Sequence, residues 1–226
     1  MAKGILYIIA TPIGNLADIT LRALDTLKNV SLILSEDTRE TVKVLSRYSI
    51  NKPQISYRDQ NHNKIVSRIL QNLDSGENVA LISDSGTPLI SDPGFKLVQD
   101  AIANNIKVES IPGPSAVISS LVVSGLPTDK FSFLGFLPKS SGQREKIIKA
   151  YGQTDSTLVI YESPMRTQKL LTEIYNCLGD RKICVASELT KMYEKVLRGK
   201  VSELVKMFGS EKPRGEYVVL VAKEGF

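Results

Sequence analysis

Residues 83–94, "SDSGTPLISDPG", combine residue types that bring main chain and polar atoms against a ligand. Gly86 lacks a Cβ and tolerates positive φ, so the main chain can approach a bound molecule closely there. Pro88 constrains the turn, and Asp84 and Thr87 offer polar atoms to a hydroxyl or amino group. Because a link from a strand to a helix usually takes only about 2 to 6 residues, this long loop predicts a binding segment.

Three further turns punctuate the ends of predicted strands: "ATPIGN" at residues 10–15, "IPGPSA" at 111–116 and "RGEY" at 214–217. Loops that follow the carboxyl ends of parallel strands gather at one edge of a sheet, where ligands tend to bind. We therefore expect three of the four turns to converge. The turn "ATPIGN" has only Gly14 where a dinucleotide fingerprint needs three glycines, and the sequence has no phosphate-binding P-loop motif. Neither NAD nor ATP is therefore the predicted ligand.

Charged side chains near these turns are candidates for catalysis, because a carboxylate can accept a proton and a cation can stabilise a developing anion. The candidates are Glu36, Asp37, Arg39, His62, Glu188 and Lys191. Each also has a structural explanation. Asp37 can begin a helix as its N-cap, with Glu40 completing a capping box. His62 can be an exposed residue that opens its helix, and Lys191 can be ordinary surface charge.

The composition indicates an ordinary globular protein. The chain has 226 residues, of which 42% are hydrophobic and 23% charged, with a mean hydropathy of −0.05. Its net charge of +5 suits a polyanionic partner or a generic basic surface. The longest apolar runs are shorter than the roughly 20 residues of a membrane helix, and the first run ends at a Pro-Gly turn without a cleavage site, which predicts a cytoplasmic protein. Cys177, Cys184 and a single His62 form no metal-ligand pattern, so we expect reduced thiols and no metal.

Short β-branched runs alternate with amphipathic stretches through the first half, which is typical of βαβ units and a mostly parallel sheet. The predicted strands are residues 5–11, 31–35, 54–57, 78–84 and 107–112. Helices are predicted at 18–27, with Asp18 as N-cap, at 38–48 and at 63–73.

In the second half, strands are predicted at 131–136, 157–162, 182–189, 195–198 and 215–223, with helices at 142–151, 164–178 and 201–208. The close spacing of the strands after Lys182 predicts antiparallel pairing. We interpret the chain as two α/β domains, 1–113 and 114–226, with the linker at about 113–128.

Several stretches together resemble the ribosomal small-subunit methyltransferase I family, within the tetrapyrrole-methylase superfamily. They are "LYIIATPIGNLADITLRAL", "SEDTRET", "DSGTPLISDPG", "IPGPSAVISSLVVSGLPTDKFSFLGFLP", "YESPMR" and "ASELTKMYEKVLRGKVSEL", and the match runs from about Ile5 to Lys223. The resemblance implies a homodimeric, S-adenosylmethionine-dependent enzyme that methylates the ribose 2'-hydroxyl of a decoding-centre cytidine in 16S ribosomal RNA. It also implies two αβα domains, the first with a mostly parallel and the second with a mixed sheet, and a cofactor cleft between them.

By motif, the resemblance assigns the cofactor contacts to Ile13, Asp84, Gly86, Thr87, Pro88, Ile90, Ser115, Ala116, Tyr161, Glu162, Leu189 and Gly215. Three features depart from the family pattern. Met165 stands where "YESPHR" is expected, residues 60–64 read "QNHNK" where "HEHNE" is expected, and the sequence ends at Phe226 without the C-terminal extension of most relatives.

Two other classes of function stay open at this point. One is a methylase of the same superfamily that acts on a porphyrinoid ring, and the other is a non-enzymatic RNA-binding module. An apolar ring favours an apolar trough, whereas basic residues crowd the region after the second strand: Arg39, Arg47, Lys52, Arg58, Lys64 and Arg68. The sequence also lacks the aromatic or GxxG motifs of common RNA-binding modules.

Overall fold

The computed structural model describes residues 2–208 and 215–226, which form two compact units. The first unit ends at Ser115 and the second begins at Ala116. The described residues contain ten strands and eight α-helices. None of these helices is long and apolar enough to cross a membrane.

The first unit is a parallel five-stranded sheet. Its strands are β1 (Ile5–Ile9), β2 (Leu32–Ser35), β3 (Gln54–Ser56), β4 (Val79–Ile82) and β5 (Lys107–Ile111), in the order β3-β2-β4-β1-β5. Every neighbouring pair is parallel, as the alternation of strands and helices predicts. β2 and β4 are buried at every residue, because helices cover both faces of the sheet.

The helices of the first unit are α1 (Leu21–Asn29), α2 (Thr38–Arg47), α3 (His62–Asp74) and α4 (Phe95–Ala103). α1 and α2 pack on one face of the sheet through Leu24, Leu27 and Leu45. α3 and α4 pack on the other face through Ile69 and Leu97. Because the five strands are parallel, their carboxyl ends all lie at one edge of the sheet.

The start of α1 differs from the prediction. Thr20, and not Asp18, is the N-cap: the Thr20 hydroxyl accepts a hydrogen bond from the Ala23 amide at 3.1 Å. Asp18 instead closes a short 3-10 helix, Leu16–Asp18, whose own cap is Asn15. Asn15 and Thr20 both have side chains suited to capping, so Asn15 begins the short 3-10 helix and Thr20 begins α1.

The second unit contains a mixed sheet, as predicted. Its strands are β6 (Phe131–Phe136), β7 (Thr157–Glu162), β8 (Lys182–Ser187), β9 (Lys195–Lys200) and β10 (Tyr217–Val221), in the order β6-β7-β10-β8-β9. β6 and β7 are parallel, whereas β10 runs antiparallel to β7 and β8, and β9 antiparallel to β8. The antiparallel pairing expected after Lys182 is confirmed.

The helices of the second unit are α5 (Ala116–Ser124), α6 (Ser141–Gly152), α7 (Pro164–Leu178) and α8 (Val201–Phe208). α6, α7 and α8 share one apolar core with the sheet, which includes Ile148, Leu171 and Leu204. One ion pair crosses this layer, between the buried Arg144 and Glu173, with two nitrogen–oxygen distances of 2.6 Å. A buried charge needs such a partner, because water no longer solvates it.

Candidate active site

Three loops meet at the carboxyl edge of the first sheet. The loop after β1 is joined to the loop after β4 by two backbone hydrogen bonds between Thr11 and Gly86, of 2.8 and 3.0 Å. The Thr11 hydroxyl also donates to the Ser83 carbonyl at 3.3 Å. The loop after β4 is joined in turn to the loop after β5, because the Thr87 hydroxyl donates to the Pro114 carbonyl at 3.2 Å. The predicted convergence of these three turns is therefore observed.

Glycine is required where these loops approach each other. Gly86 is buried and has φ +75°, a conformation that side chains other than glycine rarely adopt. A Cβ there would lie 3.4 Å from Cγ2 of Ile13 in the loop after β1. At Gly113 a Cβ would lie 3.1 Å from the Ala10 Cβ. Three of the contact residues predicted in the first unit, Ile13, Gly86 and Thr87, thus lie in one junction.

The rest of the loop after β4 carries backbone strain. Leu89 and Ser91 adopt positive φ, +72° and +68°, although neither is glycine. Such residues cost of order 1–3 kcal/mol each and cluster at functional sites. Pro88 is buried between them and the junction, and Ile90 is 43% exposed. The strained segment therefore presents an apolar side chain beside the glycine turn.

Asp37 is the N-cap of α2, and this part of the prediction is confirmed. Its Oδ1 accepts the Arg39 amide at 2.9 Å, and its carboxylate also pairs with the Arg39 guanidinium at 2.5 Å. The hydrogen bonds from Arg39 hold the pKa of Asp37 well below its usual range. Arg58 adds a second positive charge at 4.0 Å. A carboxylate stabilised in this way is a weak proton acceptor.

The predicted capping box at α2 is wrong. The Asp37 amide donates to Oδ1 of Asp84 at 2.9 Å, and Glu40 pairs instead with Lys43 at 2.7 Å. Asp84 can reach this amide because β2 and β4 are neighbours in the sheet. The loop after β4 therefore supplies the contact that a local capping box would have made. Asp84, predicted as a cofactor contact, also holds the start of α2.

Glu36 is the better proton acceptor of the two neighbouring acids. Burial of its carboxyl raises the pKa of Glu36, and the nearby charge of Asp84 raises it further. Burial likewise raises the pKa of Asp84. The main chain at Glu36 is held in place because its carbonyl accepts hydrogen bonds from Ser56 at 3.2 Å and Arg58 at 3.1 Å. A general base works best when its pKa lies close to the working pH, and the shift of Glu36 is in that direction.

His62 is neither an exposed residue nor free to act as a base. It is 5% exposed, with Nδ1 2.9 Å from the Tyr57 hydroxyl and Nε2 3.0 Å from Asp100. Burial raises the pKa of Tyr57 to about 12. This chain of side chains connects the end of β3 with α3 and α4. Sequence patterns did not reveal it, because Asp100 is 38 positions from His62 and looks like an ordinary helix-surface acid.

The remaining predicted contacts lie at the boundary of the two units or in the second unit. Ser115 ends the first unit and Ala116 begins α5. Tyr161 packs edge-to-face on Phe133, with ring centroids 4.9 Å apart. Glu162 is 2% exposed, and its Oε1 pairs with Arg166 at 2.6 Å.

Lys191 and Gly215 meet at Glu188, where β8 ends and β10 begins. Lys191 Nζ lies 2.9 Å from the Glu188 carboxylate and 3.1 Å from that of Glu216. Gly215 has φ +90°, and a Cβ there would overlap the carboxylate of Glu188. The predicted contact Leu189 is buried in the same segment. Lys191 and Glu188 therefore belong to a local ion cluster of the second unit, whereas the other four candidates for catalysis lie in the first.

Arg58 also lies beside Glu36 and Asp37, although its sequence context indicates only a basic surface. It bonds the Glu36 carbonyl and lies beside the Asp37 carboxylate. The available signal was its position two residues after β3, at the same edge of the sheet.

Comparison with known proteins places this geometry in a family. Residues 5–205 match the family model described as Tetrapyrrole (Corrin/Porphyrin) Methylases. A protein of Thermotoga maritima named ribosomal RNA small subunit methyltransferase I is 46% identical over 98% of this chain and 100% of its own length. Proteins of the same name from Synechocystis sp. and Bacillus subtilis are 44% and 41% identical, with 79% and 75% of their lengths covered.

Solved structures share the fold at low sequence identity. A diphthine synthase superposes with a TM-score of 0.75 at 14% identity, over 97% of this chain and 90% of that one. A cobalt precorrin-4 methyltransferase superposes with a TM-score of 0.72 at 17% identity, over 96% and 94%. At these identities the likeness concerns the fold alone.

A parallel sheet with joined loops at its carboxyl edge, followed by a mixed-sheet unit, defines an α/β protein of the methylase type. The chain belongs to the tetrapyrrole methylase family and, within it, to the ribosomal RNA small subunit methyltransferase I family. It is a methyltransferase.

Proposed function

We propose that this methyltransferase uses S-adenosylmethionine to methylate the ribose 2'-hydroxyl of a decoding-centre cytidine in the 16S RNA of the small ribosomal subunit. The names of relatives at 41 to 46% identity support the RNA substrate. The observation that carries the proposal is the junction of Thr11, Gly86 and Thr87, with Glu36 at the same sheet edge. This sheet edge combines a glycine turn that a ligand can approach closely with the Glu36 carboxyl group, whose pKa is raised.

The junction suits an uncharged, partly apolar portion of the proposed cofactor. The backbone at Gly86 carries no side-chain bulk, the buried Ile13 packs beside it, and Ile90 provides exposed apolar surface in the same loop. Thr87 and Asp84 are two of the polar side chains of the same loop. We assign cofactor binding in the first unit to these residues with Pro88, and the family resemblance adds Ser115, Ala116, Tyr161, Glu162, Leu189 and Gly215. When bound, S-adenosylmethionine supplies an electrophilic methyl group.

Glu36 is the proposed proton acceptor for the ribose hydroxyl. A ribose hydroxyl is a weak nucleophile and reacts faster when a neighbouring base takes its proton. Asp37 is instead a positioning residue, because it caps α2 and holds Arg39. Arg39 is largely exposed and can contact an RNA phosphate. Lys191, in the ion cluster of the second unit, is proposed as a further cation for the RNA.

The partners and the cellular location of the enzyme are part of the same proposal. We propose that the enzyme is a homodimer that acts in the cytoplasm on small ribosomal subunits. The net charge of +5 supports electrostatic binding to RNA. Such binding weakens steeply as salt rises, because phosphate contacts release counterions.

A transfer assay tests this function. S-Adenosylmethionine labelled on the methyl group is incubated with the enzyme and small subunits from a strain that lacks the enzyme. We expect label in 16S RNA, and a parallel calorimetric titration should show cofactor binding that a chelator does not abolish. Label in an added porphyrinoid and none in RNA would contradict the proposal, as would the absence of cofactor binding.

A further inference from the structure

Exposed apolar side chains gather at one edge of the second sheet. β7 and β8 end at the same edge, because Glu162 and Ser187 both pair with Tyr217 of β10. The most exposed members of this group are Met192 (89%), Met165 (83%), Tyr193 (76%) and Phe136 (58%). Large apolar side chains at such exposure, contributed by three segments at one edge, mark an interaction surface.

The loop of residues 188–194, between β8 and β9, carries two of these side chains at its tip. It is longer than a usual hairpin connection of about 2 to 5 residues. Its base is held by Glu188, whose carboxylate accepts hydrogen bonds from Lys191 at 2.9 Å and from the Glu216 amide at 3.1 Å. The Thr190 amide donates to the Glu194 carboxylate at 2.6 Å. These hydrogen bonds thus fix the backbone of the loop, while the side chains of Met192 and Tyr193 are exposed to solvent.

The same loop is strained. Glu188 and Thr190 have φ of +51° and +66°, and a β-branched residue such as Thr190 is a genuine outlier there. Strained residues persist only where the surroundings enforce them, and they mark functional sites. The strained loop therefore exposes the aromatic ring of Tyr193 to solvent.

We propose that Tyr193 stacks on an unpaired base of the ribosomal RNA substrate, a recognition contact that rests on the function proposed above. Unpaired bases are recognised by stacking on aromatic rings, with cations nearby for the phosphates. Lys195 is exposed two positions after Tyr193. A single exposed ring with a lysine close by in the sequence suffices to stack on one base.

Kinetics on small subunits test the contact. Tyr193→Ala should raise KM for subunits about 5- to 150-fold, the range expected for loss of one stacked base, and leave cofactor affinity unchanged. Tyr193→Phe keeps the ring and should restore the affinity. The matched control is Tyr151→Ala, because Tyr151 is a 45% exposed tyrosine on α6, away from this edge.

The sequence contains no tryptophan, so Tyr193→Trp introduces a single tryptophan whose emission can be followed. Its emission should be quenched by saturating subunits, whereas that of Tyr151→Trp should not. A KM unchanged in Tyr193→Ala, or equal quenching of both tryptophans, would overturn the stacking contact while wild-type methylation of the subunits stands. If the wild-type enzyme transfers no methyl group to subunits, the proposed function itself fails and the contact fails with it.

Discussion

Glu36 and Asp37 are adjacent acids with opposite environments. Asp37 is stabilised as an anion by Arg39 and the start of α2, whereas burial and Asp84 disfavour the charge on Glu36. Two neighbouring carboxyl groups with pKa values shifted in opposite directions have separate roles. At the residue scale, these opposite shifts support the proposed roles of Glu36 as proton acceptor and Asp37 as positioning residue.

Substitution of the two acids separates these roles. Glu36→Gln should lower turnover roughly 10²- to 10⁴-fold with cofactor affinity intact, as expected for a lost general base. Asp37→Asn should lower the melting temperature and change turnover much less. Single-turnover kinetics and thermal melts measure both effects. Equal turnover in Glu36→Gln and the wild type would show that Glu36 is not the base.

The pH dependence follows from the same shift. Since Glu36 must be ionised to accept a proton, kcat/KM should rise with pH, with an apparent pKa above the ordinary value of 4.5. Between 4.5 and the raised pKa, the folded protein holds more protons than the unfolded chain, so the free energy of unfolding falls as pH rises through that window. Glu36→Gln should remove the rise in kcat/KM and reduce the fall in the free energy of unfolding, to which Asp84, whose pKa is also raised, still contributes.

At the scale of elements, the joined loops depend on the backbone of Gly86. Gly86→Val should weaken S-adenosylmethionine binding at least about 10-fold, because a side chain fills the space beside Ile13 and the positive φ is strained. Circular dichroism should stay near native. Calorimetry measures the affinity, with Gly142→Val as the control, because Gly142 is exposed and a Cβ there meets nothing within 4 Å. A Gly86→Val protein that binds like the wild type would remove the junction from the cofactor site.

The strands, helices and mixed second sheet could be predicted from the sequence because each depends on local periodicity and spacing. The convergence of the loops followed from parallel topology alone. Contacts that join distant segments could not be predicted. Asp84 accepts a hydrogen bond from the amide of Asp37, 47 positions earlier in the sequence. The buried His62 contacts Asp100, 38 positions later in the sequence. No periodicity records such a pair, so the capping box and the exposed histidine were wrong.

At the scale of the whole molecule, sequence family and site geometry support one reaction. The fold is shared with a cobalt precorrin-4 methyltransferase and a diphthine synthase, so the fold by itself does not select the acceptor. We propose that selection depends on the cations and carboxylates around Glu36 and on the exposed edge that carries Tyr193. The cations near Glu36 favour a polyanionic substrate over an apolar ring, and the exposed ring of Tyr193 suits an unpaired base.

The position of the transferred methyl group tests this account most directly. Nucleosides from the 16S RNA of a strain that lacks the enzyme are compared by mass spectrometry with those of the same strain after the gene is restored. We predict that one cytidine gains a methyl group on its ribose when the wild-type gene is restored, and that the Glu36→Gln gene restores little of it. A methyl group on a base, or no change in the RNA on restoration, would contradict the account.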